Sequence, residues 1–155
     1  MKLAAFYLDE EPNSEGTTLA EMMAYDDFMM ERKHNYIQWM FPSSEPSAFH
    51  RSPEVTEFDI KSIRCRGQPA LKASLDKFQG FLMRNPYWCT IGNHNLMRIT
   101  RVIRSLRLFG MEGEARQFYD WLMSKAEGLD RITLLYWSQA MEICPTLPLR
   151  NHVVI

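Results

Sequence analysis

The sequence predicts an all-α fold, a single compact domain of about six or seven helices. Apolar residues recur at helical spacing along most of the chain, as in Leu71, Leu75, Phe78 and Leu82. Capping residues, prolines and glycines separate these stretches, and no run alternates apolar and polar residues as a half-buried strand does. At 155 residues the chain has the size of one domain, and we expect residues 1–155 to form one.

Composition favours a globular, intracellular protein. The chain is 46% hydrophobic and 24% charged, which permits a real core. Its net charge of -1 argues against a general nucleic-acid binder held by bulk charge. Three widely spaced cysteines, Cys65, Cys89 and Cys144, fit reduced thiols better than disulfides or a zinc site. Lacking a signal peptide or a run of about 18 apolar residues, the sequence predicts a soluble protein of the cytoplasm.

The first third of the chain contains several short helical signals. A turn or two is expected over Leu3 to Leu8, before a loop. Thr18 and Glu21 have the spacing of a capping box and predict a helix start. Asp26 and Asp27 predict a second start, and the loop from Pro42 to Ser47 ends the following segment.

The middle of the chain predicts two helices. Ser52 as N-cap and Pro53 at the first helical position predict a helix that buries Val55 and Phe58. Pro69 is expected to open the next helix.

Three more helices are predicted after the break at Asn85-Pro86. The longest runs from about Asn93 to Phe109 and ends at Gly110. Another begins at Glu112, and Asp130 caps the last clear helix. The apolar stripe of that last helix is expected to be Ile132, Leu135, Tyr136 and Ile143, before Pro145 and Pro148.

Two segments, 34–42 and 93–101, combine polar side chains with large apolar ones. Polar groups held this tightly among apolar residues need hydrogen-bond partners if they are buried. Each segment is therefore either a polar knot in the core or the wall of a pocket. The pocket interpretation gives eight candidate ligand-binding residues: His34, Tyr36, Gln38, Trp39, His94, Asn95, Arg98 and Arg101.

The long helix repeats arginine every three residues, at Arg98, Arg101, Arg104 and Arg107. The commoner explanation is a solvated basic face with acidic partners. Alternatively, Arg98 and Arg101 lie near the positive end of the helix and clamp a carboxylate or phosphate. A nucleic-acid contact through the same face is a further alternative.

Catalytic signals are weak. The four histidines lack metal-ligand spacing, so we expect neither a metal nor a cofactor. Cys89 and His94 form a conceivable nucleophile and base, but a cysteine among apolar neighbours is more often a small buried residue. An uncharacterised enzyme stays the alternative to a binding protein. The clustered methionines Met22, Met23, Met29, Met30 and Met40 are expected to fill the core, and a Met-rich surface for apolar partners is the alternative.

Residues 34–42, H-x-Y-I-Q-W-x-F-P, resemble the conserved region of the opioid growth factor receptor family. Residues 93–101 are similar to that family's N-x-x-L-R-I-T-R segment, with Arg98 to Arg101 matching. Further similarity extends from Phe6 to the last helices, over nearly the whole chain.

The resemblance implies a receptor-like, helical ligand-binding module. The namesake members are receptors for an endogenous opioid peptide. These receptors are associated with the nucleus and its periphery. We therefore expect a peptide or a small anionic or aromatic ligand in a pocket between residues 34–42 and 93–101. The resemblance also allows a nuclear or peripheral membrane location, and the oligomeric state stays open.

Overall fold

The computed structural model describes residues 2–44 and 52–142. The regular secondary structure of these ranges is entirely helical, so the all-α prediction is confirmed. They contain nine α-helices: α1 (Lys2–Tyr7), α2 (Leu19–Met23), α3 (Asp27–Arg32), α4 (Ile37–Met40), α5 (Glu57–Ser62), α6 (Gln68–Arg84), α7 (Asn95–Leu108), α8 (Glu112–Lys125) and α9 (Arg131–Glu142). A π-helical segment, Ile63–Gly67, joins α5 to α6, and a 3₁₀ turn, Pro86–Trp88, follows α6.

The two predicted caps in the first third are confirmed. The Thr18 hydroxyl accepts a hydrogen bond from the Glu21 amide at 3.1 Å, at the start of α2. The Asp26 carboxylate accepts one from the Met29 amide at 2.8 Å, at the start of α3. Each cap satisfies an amide that the first helical turn leaves without a partner, so these short helices begin at defined residues.

The prediction that a helix begins at Ser52-Pro53 is wrong. The α5 helix begins at Glu57, because Thr56 and Asp59 form a reciprocal capping box there. The Thr56 amide donates to the Asp59 carboxylate at 2.9 Å, and the Asp59 amide donates to the Thr56 hydroxyl at 3.2 Å. Phe58, predicted to be buried, is 56% exposed instead.

Asp59 is buried, and its carboxylate also stabilises the first helix. Its carboxylate accepts a hydrogen bond from the Ala4 amide at 3.1 Å, within the first turn of α1. Burial favours the neutral acid, but hydrogen bonds to the carboxylate, those from Thr56 and Ala4 among them, together outweigh burial and hold the pKa of Asp59 below its ordinary value. One carboxylate thus ties the starts of α1 and α5 together.

The last three helices pack against one another, with α7 in contact with both α8 and α9. The α7 helix ends as predicted, at Gly110, whose φ of 81° is the left-handed conformation that glycine adopts without strain. Its terminal carbonyls are satisfied by the neighbouring helical layer: Arg64 donates to Leu108 and Gln68 donates to Phe109.

The predicted apolar stripe of α9 is partly wrong. Ile132 and Leu135 are 56% and 50% exposed, whereas Trp137 and Ala140 are buried. The rotation of α9 about its axis follows from the position of Trp137, because the indole Nε1 of this residue donates to the carbonyl of Leu96 on α7 at 3.3 Å. The inward face of α9 is therefore the Trp137 face.

Buried apolar residues from Leu3 to Ala140 form one contiguous cluster. Of the five clustered methionines, Met22, Met30 and Met40 are fully buried in it, as predicted, and Met23 and Met29 are partly buried against it. Trp39 packs edge to face on Phe6, with ring centroids 4.9 Å apart. One domain covering residues 1–155 stays a prediction. Several sequence expectations lie outside the described residues: the loop beyond Ser44, His50, Ile143, Cys144, Pro145, Pro148 and His152.

Candidate functional site

The structure brings the two predicted segments together. Residues 34–42 lie against the first turns of α7, and we call this contact the seam. Only Ile37–Met40 of the first segment is helical, so His34 precedes α4 rather than sharing a helical face with Gln38. Asn95 begins α7, where the Asn93 side chain accepts a hydrogen bond from the Asn95 amide at 2.9 Å.

Arg98 is the hub of the buried part of the seam. It is 7% exposed, and its Nη1 donates to the Met30 carbonyl at 2.8 Å and to the Tyr36 hydroxyl at 3.0 Å. The same nitrogen lies 3.0 Å from the Asn95 amide oxygen. A buried guanidinium is tolerated only with this many acceptors, and here most are neutral oxygens.

The second guanidinium nitrogen of Arg98 points toward the segment after α3. Its Nη2 donates to the Lys33 carbonyl at 2.9 Å and lies 3.4 Å from His34 Nδ1. Because arginine is always a donor, the contact with His34 requires that Nδ1 act as an acceptor. Arg98 therefore fixes the backbone from Met30 to His34.

Tyr36 completes this network. It is fully buried, and its hydroxyl donates to the Met30 carbonyl at 2.6 Å while accepting from Arg98. Burial raises the pKa of Tyr36 well above its ordinary value, against the opposing effect of the Arg98 charge. The phenol is therefore a neutral hydrogen-bonding group.

Arg101 closes the far end of the seam. Its Nε donates to the Phe41 carbonyl at 2.9 Å, and its Nη2 lies 3.4 Å from the Gln38 carbonyl. Both carbonyls belong to the last turn of α4, where a positive charge is favourable. Gln38 and Trp39 are buried, with 4% and 7% exposure. We call Tyr36, Gln38, Trp39, Arg98 and Arg101 the inner half of the seam.

His34 and His94 lie at the solvent-facing end of the seam. One comes from each signature segment, and their rings meet edge to face with centroids 6.0 Å apart. His94 Nε2 lies 3.1 Å from a Glu31 carboxylate oxygen, with both side chains 43% exposed. Asn95 donates to the other oxygen of Glu31 at 3.2 Å, so this buried amide links the histidines to the inner half.

The exposed face of α3 continues this surface. Phe28 is 66% exposed, and the guanidinium of Arg32 stacks over its ring at 5.0 Å. Phe28, Glu31 and Arg32 share one helical face because they are three and four residues apart. We define the outer edge of the seam as Phe28, Glu31, Arg32, His34 and His94.

The sequence alone did not single out the three α3 residues of the outer edge. The Phe28–Arg32 spacing of four residues was a usable signal, because a cation and an aromatic ring at that spacing meet on a helix surface. Glu31 had no comparable local signal, because its partners are distant in sequence.

Arg98, which is buried, does not belong to the solvated basic face with acidic partners expected from the arginine spacing, whereas Arg107 does have an acidic partner. Arg98 and Arg101 reach back toward the start of the helix and bind carbonyls, as long helical side chains are directed to do. Arg107 donates to Glu112 at 3.0 Å and to the Ala140 carbonyl at 2.9 Å. The nucleic-acid alternative stays a prediction, without support from this helix.

The conceivable catalytic pair is not assembled. The Cys89 thiol donates to the Lys125 carbonyl at 2.9 Å, and burial raises its pKa, which disfavours the reactive thiolate. His94 contacts Glu31 instead. Among residues 2–44 and 52–142, no group of three or more His, Cys, Asp or Glu is placed to hold a metal ion.

The helices and the seam define an all-α fold in which polar side chains of the two signature segments meet at one junction. The family model described as the Opioid growth factor receptor (OGFr) conserved region matches residues 2–83, and the chain belongs to this family. That match covers residues 34–42 and ends before residues 93–101.

Curated relatives agree with this assignment. The chain is 28% identical to Opioid growth factor receptor-like protein 1 of Xenopus tropicalis over 130 residues, covering 69% of this chain and 25% of that protein. It is 32% identical to the Opioid growth factor receptor of Rattus norvegicus over 105 residues, covering 54% of this chain and 18% of that protein. The chain thus spans a quarter or less of these relatives, and no solved structure matches it.

The α-helices of the described ranges give no candidate for a membrane span, because none is both long and apolar enough.

Proposed function

We propose that this chain is a peptide-binding module and that the outer edge of the seam contacts the ligand. One observation carries the proposal: the two signature segments meet, and each contributes an accessible histidine at the same end of the junction. The buried side chains behind them hold that end in place.

The chemistry of the outer edge favours a peptide with an aromatic side chain and an acidic group. Phe28 offers an exposed ring, and a peptide aromatic side chain would bury apolar area against it. Arg32 and His34 can donate hydrogen bonds to a carboxylate, and Arg32 can do so with two parallel bonds. Glu31 fixes His94 and repels acidic groups from that point, which orients the ligand.

The eight residues predicted from sequence divide into two roles in this proposal. His34 and His94 contact the ligand. Arg98 and Arg101 position the backbone of the seam, since their guanidinium groups are directed at internal carbonyls. The remaining four, Tyr36, Gln38, Trp39 and Asn95, support that arrangement from buried positions.

The names of the relatives support a receptor-like role, and the peptide as ligand class rests on the resemblance described above. The matched rat protein is named an opioid growth factor receptor, and we extend the receptor-like role, though not a specific ligand, to this chain. A cytoplasmic location stays the expectation from sequence.

The proposal is tested by titrating the isotope-labelled chain with the blocked tripeptide acetyl-Glu-Phe-Glu-amide. We expect saturable shifts of the amide signals of Phe28, Arg32, His34 and His94 in NMR spectra. Acetyl-Glu-Ala-Glu-amide, without the ring, and acetyl-Lys-Phe-Lys-amide, with reversed charge, should each bind at least tenfold more weakly, a difference of about 1.4 kcal/mol.

Two variants locate the site. His34→Ala and Arg32→Ala should weaken binding, whereas Arg116→Ala should not, because Arg116 is a similarly exposed arginine paired with Asp120 on α8. The outer edge would be rejected as the ligand site if His34→Ala and Arg32→Ala bound the tripeptide as well as Arg116→Ala. It would also be rejected if the unmodified chain gave no saturable shift.

A further inference from the structure

A second concave surface lies between α2 and the beginning of α6. It is an open cavity of about 370 Å³, with Leu19 and Met23 on one side and Ala70 and Ala73 on the other. Tyr7 is buried beneath it, and its hydroxyl donates to the Met40 carbonyl at 2.8 Å. We call this cavity the α2–α6 groove. None of its lining residues belongs to the outer edge of the seam.

The groove is apolar along its length and also includes two oppositely charged side chains. Its lining includes Asp9, from the turn after α1, and Arg66, from the π-helical segment. Its volume is near the lower limit of ligand pockets, which range from about 300 to 1,000 Å³. The groove therefore suits a small ligand with an apolar body and a charged group of each sign.

Asp9 holds an unusual backbone conformation at this position. Its φ of 61° is the one positive value among non-glycine residues in the described part of the chain. The left-handed turn ends α1, a role that glycine or asparagine fills at less cost. No hydrogen bond or ion pair of the Asp9 carboxylate occurs within residues 2–44 and 52–142, so the group is available to a ligand cation.

Arg66 is available to a ligand anion. Its guanidinium lies 3.7 Å from the Glu10 carboxylate, and the two side chains are 67% and 55% exposed. An exposed pair at this distance contributes little stability, so a ligand carboxylate can replace Glu10. The π-helical segment that carries Arg66 is itself a feature found frequently at functional sites.

We propose that the α2–α6 groove binds a free apolar α-amino acid. The ammonium group pairs with Asp9, the carboxylate pairs with Arg66, and the side chain lies against Leu19, Met23 and Ala73. Charge complementarity of both signs supports this class over a fatty acid, which would leave Asp9 facing an apolar chain or a second carboxylate.

The experiment is an NMR titration of the whole labelled chain with L-leucine up to about 10 mM, a range suited to millimolar affinity. Saturable shifts are expected at Leu8, Ala20, Ala70 and Ala73. Glycine, which lacks the apolar body, should produce no saturable shift. N-acetylleucine lacks the ammonium group and leucinamide lacks the carboxylate, so each should bind at least fivefold more weakly.

Three variants test the contacts. Asp9→Asn tolerates the left-handed turn but removes the charge, Arg66→Gln removes the guanidinium, and Ala73→Phe fills the groove from an exposed position. All three should reduce leucine affinity at least fivefold. Asp120→Asn and Arg116→Gln are the matched controls, because they neutralise an exposed ion pair on α8 and should leave affinity unchanged.

The proposal is overturned if leucine, methionine and phenylalanine all fail to give saturable shifts in the unmodified chain. It is equally overturned if leucinamide or N-acetylleucine binds as well as leucine, or if Asp9→Asn and Arg66→Gln bind like their controls. Thermal unfolding of each variant shows whether a lost shift reflects lost binding or lost folding. These outcomes leave the peptide site at the outer edge untouched.

Discussion

The inner half and the outer edge of the seam use similar polar side chains for different purposes. Arg98 and Tyr36 are buried, and their donors are directed at carbonyls and at each other. Arg32, His34 and His94 are accessible, and the contacts of Arg32 with Phe28 and of His94 with Glu31 are weak surface interactions. Burial therefore separates groups that stabilise the fold from groups that can exchange a protein contact for a ligand.

The largest effect is expected from Arg98→Met. The substitution fills most of the space but leaves the Met30 and Lys33 carbonyls and the Tyr36 hydroxyl without their cationic donor. Hydrogen bonds to a charged group contribute about 1.5–3 kcal/mol each, so the loss of several should lower the free energy of unfolding by about 3 kcal/mol or more. Denaturant unfolding measures this loss.

Arg116→Met is the control for that experiment. Arg116 is exposed, and its replacement should change stability by less than about 0.5 kcal/mol. A similarly small effect at Arg98 would contradict the structural role given to the inner half.

A smaller, pH-dependent effect is expected at Asp59, the buried carboxylate at the start of α1 and α5. Its pKa is lower in the folded state, so its contribution is present above the unfolded value of about 3.9 and is lost as the pH falls through the folded value. At neutral pH, Asp59→Asn should cost about 1–2 kcal/mol, as lost helix caps do.

The Asp59 test compares unfolding of the two proteins between neutral and acidic pH. The difference in stability between them should shrink as the pH falls below the ordinary range of a carboxylate. A difference that is constant across this range would show that Asp59 does not act through its charge.

Tyr36→Phe should lower the free energy of unfolding by about 1–2 kcal/mol at most. It removes the hydroxyl shared by Met30 and Arg98 but keeps the buried ring and the Arg98 cation over it. Chemical unfolding of the Tyr36→Phe, Arg98→Met and double variants measures the coupling. Strictly additive losses would mean that the two side chains do not form one network.

The smallest effect on stability is expected at the outer edge. His94→Ala removes the exposed contact with Glu31 and should change the free energy of unfolding by less than about 1 kcal/mol, while weakening peptide binding. Thermal unfolding and the tripeptide titration measure the two properties separately. A large loss of stability would place His94 with the inner half instead.

Local sequence signals predicted much of the fold. Thr18, Asp26 and Gly110 act where they were expected, because capping and left-handed turns depend on neighbouring residues alone. The helix start predicted at Ser52-Pro53 was wrong, because a capping box begins four residues later, at Thr56. Asp59 of this capping box also binds α1, which is a contact between distant segments. The exposure of Ile132 and Leu135 likewise follows from the distant partner of Trp137.

The sequence singled out the two segments of the seam, but it did not predict which residues of the two segments contact each other. Nothing local shows that Arg98 contacts Met30 and Lys33, because backbone acceptors carry no sequence signal. The same limit explains why the arginine repeat suggested a solvated face. Asp9 and Arg66 could not be paired from sequence either, since the groove that they share is lined by α1 and the turn after it, by α2, by the π-helical segment and by α6.

The central claim is that the ligand contacts the outer edge while the inner half only supports it. The most direct test is the map of amide shifts caused by acetyl-Glu-Phe-Glu-amide in the labelled chain. We expect saturable shifts centred on Phe28, Arg32, His34 and His94. Shifts centred on the α2–α6 groove, or no saturable shift in the folded protein, would contradict it.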